Sequence, residues 1–101
     1  MIKKEETLLD GVTSTATGET VGVLRVQNKT IVFTGTTTPV GTVVLEASAI
    51  TESDWVLLAT KTNPSTPVAI YVNNTYKFMR ARMTAYTSGA FTVELVGASN
   101  D

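Results

Sequence analysis

The chain has 101 residues, 43% of them apolar, and its eight basic and nine acidic side chains give a formal net charge of −1. This length supports one small domain around a single core, and the near-neutral charge lacks the basic footprint of a protein that coats nucleic acid. With no cysteine and no histidine, disulfides, thiolate nucleophiles, the usual general base and most transition-metal ligands are excluded, so no enzyme, metal or cofactor is expected.

Threonine and valine dominate and long runs of helix formers are missing, so the fold class expected is all-β: a single-domain antiparallel β-sandwich of about seven strands, Ig-like or jelly-roll-like. Residues 1–18 form a polar N-terminal arm with one short apolar patch, Leu8, Leu9 and Val12. The arm holds no apolar stretch long enough for a signal peptide or a membrane span, so the chain is expected to be synthesised in the cytoplasm. The sandwich domain covers 19–98, and 99–101 are a C-terminal tail.

Within the domain, the pattern predicts a hairpin of Thr20–Val26 and Ile31–Thr36 about an Asn28-Lys29 loop, with Val26 opposite Ile31 and Leu24 opposite Phe33. Pro39 and Gly41 break the next connection. A second hairpin follows, in which Ala47 faces Trp55, Leu45 faces Leu57 and Val43 faces Ala59, with Trp55 as the core anchor. Asn63-Pro64-Ser65-Thr66-Pro67 is a further break, Val68–Val72 a short strand and Asn73-Asn74 a turn. Asn28-Lys29-Thr30 and Asn73-Asn74-Thr75 match the N-glycosylation pattern but read as turn asparagines.

The last predicted hairpin joins Tyr76–Tyr86 to Phe91–Leu95 through a three-residue loop, Thr87-Ser88-Gly89, with Gly89 at positive φ. Alternation puts Met79, Ala81, Met83 and Ala85 on the core side, facing Leu95, Val93 and Phe91 across the pair. Tyr76, Phe78, Arg80, Arg82 and Tyr86 lie on the outer face, with Arg82 beside Glu94.

Two surfaces are candidates for contact with a partner. The outer face of the long strand carries aromatics and arginines, the residue types enriched at interfaces; its arginines are equally suited to pairing with Glu94 and Glu46 on a solvated strand, and its aromatics to stacking on sugar rings or bases. The second hairpin is apolar on both sides, with Val44, Val56 and Leu58 opposite Val43, Leu45 and Leu57. Either the arm covers that face in cis or a second subunit does, and the arm, with Leu8 and Leu9, is itself a candidate for lying along a neighbour. Glu52 and Asp54 near Ser53 lack the carboxylate density of a calcium loop.

The succession Gly41-Thr42-Val43-Val44-Leu45-Glu46-Ala47-Ser48, then Trp55-Val56-Leu57-Leu58-Ala59, then Tyr76-Lys77-Phe78-Met79-Arg80-Ala81-Arg82, resembles the small β-sandwich virion proteins of tailed bacteriophages, of the head decoration or cement type. The resemblance spans roughly residues 18–98 and departs from the commoner pattern where Glu52-Ser53-Asp54 replaces a tight Asp-Gly turn before Trp55. It implies a structural protein on the capsid surface that binds the phage major capsid protein, as a dimer or trimer, without nucleic acid or membrane. A tail or fibre module that presents Tyr76, Phe78 and Tyr86 to host glycans is the alternative.

Overall fold

The computed structural model describes residues 2–99, and the side chains of 3–98. Two strands dominate it, β4 (Asn28–Ser48) and β7 (Phe78–Ser99), which pair antiparallel along almost their whole length, from Asn28 opposite Ala98 to Ser48 opposite Phe78. A straight strand of 21 residues would be about 70 Å long at roughly 3.3 Å per residue, yet the longest dimension of the molecule is 41 Å. The ribbon is therefore bent back on itself. The bend falls where the β4–β7 register shifts, between Thr36 and Val43, and where Thr37, Thr38 and Gly89 take positive φ. Ser88 Oγ donates to the Thr38 carbonyl at 2.7 Å across it.

Bending brings the inner faces of the two half-ribbons together. Alternation supplies the inner residues: Ile31, Phe33, Phe91, Val93 and Leu95 from one half, and Val43, Leu45, Ala47, Met79, Ala81 and Met83 from the other, all in one buried cluster. Gly41 is needed at the crease. A β-carbon there would lie 2.6 Å from the Ala85 carbonyl and against Met83 and Phe91.

Short strands complete each half. β1 (Ile2–Val12) pairs with the second half of β7 and β6 (Val68–Val72) with the first half of β4. β5 (Val56–Thr62) pairs with the second half of β4, while β2 (Ala16–Thr17) and β3 (Val21–Gly22) pair with the first half of β7. All seven strands are antiparallel, and no helix occurs among the described residues. The all-β single domain is as expected, but the chain is divided differently among its strands.

Several expectations are corrected. No hairpin turn exists at Thr87–Gly89: Met83 pairs with Val43 and Val93 with Phe33. Gly89 does have φ +90°, but it serves a bend within one strand. The Asn28-Lys29 loop is likewise absent, since both residues begin β4, Ile31 lies between Leu95 and Ile70, and Leu24 is exposed. Pro39 does not end a strand but sits in the bulge of β4. Finally, residues 2–12 are not a free arm: β1 is a strand of the sheet, and Leu8 and Leu9 are buried in the core. Bulges at Thr7–Leu9 and Leu9–Val12 turn the strand, with Gly11 at φ +58° donating to Thr92 Oγ1 at 3.0 Å. Of the expected tail, Ser99 closes β7, and Asn100 and Asp101 lie outside the described residues.

The β4–β5 hairpin exists, but in a different register. Leu45 faces Ala59, Glu46 faces Leu57 and Ala47 faces Val56, with a bulge at Leu58. A slip of this kind exchanges faces. Leu57, expected in the core, is exposed, while Leu58 packs against the core.

Trp55 is not the core anchor. It precedes β5 at the sheet margin, half-buried, and that role falls to Phe33 and Phe91.

Lys29 is buried within the fold. Its ammonium donates to the carbonyls of Val26 at 2.8 Å, Gln27 at 3.2 Å and Asn74 at 2.9 Å, tying the start of β4 to the turn before β7. Burial lowers its pKa.

Candidate functional site

Three charged residues occupy the outer face of the half-ribbon formed by the end of β4 and the start of β7. Alternation puts Val44 and Glu46 on that face from β4, and Arg80 and Arg82 from β7, with Glu46 opposite Arg80 and Val44 opposite Arg82. Glu46 thus lies between two guanidinium groups. Its Oε1 accepts from Arg80 Nε at 2.9 Å and from Arg82 Nε at 2.9 Å, and its Oε2 accepts from Arg82 Nη2 at 3.0 Å. Burial, the largest single influence, pushes the carboxyl up. The hydrogen bonds and charges of Arg82 and Arg80 together outweigh it and hold Glu46 below the ordinary carboxylate value.

The Arg80 guanidinium lies 4.1 Å from the centroid of the Trp55 ring, whose Nε1 donates to the Glu52 carbonyl at 2.7 Å. Trp55 therefore joins the polar cluster from a neighbouring strand margin. Local sequence holds no signal of this contact, because it depends on β5 and β7 flanking β4. The expected partner of Arg82, Glu94, lies in the other half-sheet, between Thr7 and Val32.

The remaining candidates are dispersed. Val44 is buried on the outer face, Val56 is exposed at the sheet margin, and Leu58 packs inward at the bulge. Tyr76 and Tyr86 also turn toward the core. Tyr86 packs its ring edge-on against Phe91 and donates its hydroxyl to the Gly89 carbonyl at 2.7 Å. Phe78 is half-buried beneath the Lys77 ammonium, 5.5 Å from its ring centroid. Leu8 and Leu9 offer no surface. The structure thus unites Arg80 and Arg82 with Glu46 and Trp55, and separates them from the tyrosines. No cluster of three or more metal-ligating side chains occurs among the described residues.

These features describe a small all-β protein with two arginines bridged by one glutamate on its outer face and no assembled catalytic constellation among the described residues. No protein-family model matches the chain, and no curated protein matches it in sequence. Among solved structures, it is similar to the SPBc2 prophage-derived protein YomS, with a TM-score of 0.67 and 17% identity, over 96% of this chain and 94% of that one. It is also similar to a chain of the structure titled "Bacillus endospore appendages form a novel family of disulfide-linked pili", with a TM-score of 0.59 and 8% identity, over 99% and 88% of the two chains. At these identities the likeness is one of fold.

Proposed function

We propose that this chain is a non-enzymatic structural subunit of a phage particle, working by contact with neighbouring proteins in an assembled array, and that its specific role is to decorate the capsid exterior by binding the major capsid protein. The observation that carries this reading is the fold shared with a prophage-derived protein over nearly the full length of both chains. The likeness to a chain of a pilus structure supports work by assembly. A disulfide link is chemically closed to this chain, which has no cysteine. In a lattice, many weak contacts add through avidity.

The exposed Leu57, opposite Glu46 on the Arg80–Glu46–Arg82 face, is the surface assigned to the shell. Host-glycan binding is less well supported, because two of its three proposed aromatic rings, Tyr76 and Tyr86, are engaged with the core. The test is co-sedimentation of the purified protein with assembled shells and, separately, with isolated tails. Saturable binding to shells, weakened by Leu57→Asp while circular dichroism stays unchanged, is expected. Binding to tails alone moves the role to the tail, and binding to neither overturns the proposal.

A further inference from the structure

Because the ribbon bends at its middle, both ends of β4 and both ends of β7 meet at the opposite, open end of the molecule. Two features lie side by side there. The first is a cavity of about 440 Å³ lined by the apolar side chains of Leu24, Val26 and Phe78 and by the basic residues Lys3, Lys4, Arg25 and Lys77, of which Lys4 is paired with Glu6 at 3.4 Å. No carboxylate lines it among the described residues.

The second is the loop between β4 and β5. It exposes Ile50 at 72%, followed by the exposed carboxylates of Glu52 and Asp54, which form no ion pair among the described residues. Ser48 fixes the loop's departure by donating its hydroxyl to the Thr51 carbonyl, and Thr51 Oγ1 donates to Asp54 Oδ2 at 3.2 Å. Cavity and loop are neighbours in the fold. Phe78 pairs with Ser48, and the Lys77 amide donates to the Ser48 carbonyl at 2.9 Å. Even so, the loop does not cover the cavity of its own chain, since Ile50 remains in solvent.

We propose that this open end is a self-complementary surface through which two copies pair about a two-fold axis, the Ile50–Asp54 loop of each entering the Leu24–Phe78 cavity of the other. An exposed apolar side chain followed by two carboxylates is complementary in charge to an apolar hollow rimmed by cations. A two-fold contact requires one patch to carry both halves, with each residue contacting its counterpart reciprocally. The adjacency of loop and cavity meets that requirement. The inference rests on the reading of the chain as an assembling subunit and names the partner of one of its surfaces, at the end away from the bend.

The experiment measures the molar mass of the purified full chain by sedimentation velocity over a range of concentration and salt. Three proteins are compared: the parent, Glu52→Lys with Asp54→Lys, and Lys3→Glu with Lys77→Glu. Circular dichroism monitors folding of all three. The parent is expected to form a two-chain species that dissociates as salt rises. Each charge-reversed protein should be a monomer, because the opposition of charge between loop and cavity is then lost, and an equimolar mixture of the two, which restores the acidic loop of one to the basic cavity of the other, should recover the two-chain species in part. A parent that stays monomeric throughout overturns the proposal, as does pairing indifferent to both reversals. Growth into longer polymers overturns the closed two-fold geometry. Since no shells are present, failure here is separable from failure of shell binding.

Discussion

Replacing Glu46 with glutamine removes the single negative charge that holds Arg80 and Arg82 side by side. The side chains of the three residues are 11%, 21% and 38% exposed respectively, so the cluster is neither fully buried nor fully solvated. Breaking a fully buried pair costs about 3–5 kcal/mol, whereas an exposed pair contributes only about 0–1 kcal/mol. Three charge-assisted hydrogen bonds at this intermediate depth place the expected loss at about 2–3 kcal/mol, enough to lower the melting temperature by roughly 10 °C or more in a domain of this size.

The pH dependence identifies the cause. The folded-state pKa of Glu46 is depressed, so its stabilisation is complete above the ordinary carboxylate value of about 4.3 and is lost as pH falls through the lower folded value. Urea unfolding followed by circular dichroism, at neutral pH and stepwise into acid, should show parent and Glu46→Gln converging as pH falls. A constant difference across that range, or no difference at neutral pH, would refute the assignment of the stability to the carboxylate's charge.

Adding a side chain at the crease, as in Gly41→Val, should cost roughly 3 kcal/mol or prevent folding, because the new β-carbon meets the Ala85 backbone carbonyl, which has no room to yield; thermal melts check this. Trp55→Ala should cost only about 1–2 kcal/mol, from one cation–π contact and one hydrogen bond, against the roughly 3–5 kcal/mol of a core tryptophan; chemical denaturation distinguishes the two. Lys29→Met should destabilise by about 1–3 kcal/mol by leaving three carbonyls without their donor. Because burial lowers the pKa of Lys29, the unfolded chain binds the extra proton between the folded and unfolded values. The parent's margin over this variant should therefore widen as pH rises through that alkaline window.

Alternation of side chains along the chain assigned most faces but not all: Ala85, expected on the core side, is exposed, Leu57 and Leu58 exchange places at the bulge, and Tyr76 and Tyr86, expected outside, pack against the core. Val43, Leu45 and Ala47, Met79, Ala81 and Met83, and Phe91, Val93 and Leu95 are core residues by period-two reading, and all are buried. Strand propensity set the all-β class, and Gly89 was legible as a positive-φ position.

Which strand each face belongs beside was not legible. The same alternation satisfies a local hairpin, Met83 against Val93, and a long ribbon, Met83 against Val43; only the second buries both sets in one core while leaving edges for β1, β5 and β6. The position of Trp55, the burial of Leu8 and Leu9, and the sharing of Glu46 by both arginines follow from that choice of partner. Side-chain period encodes orientation within a strand, whereas pairing is settled by the joint burial of residues far apart in sequence, so the outer-face cluster existed only once β4 and β7 had paired, and the open end only once the ribbon had bent.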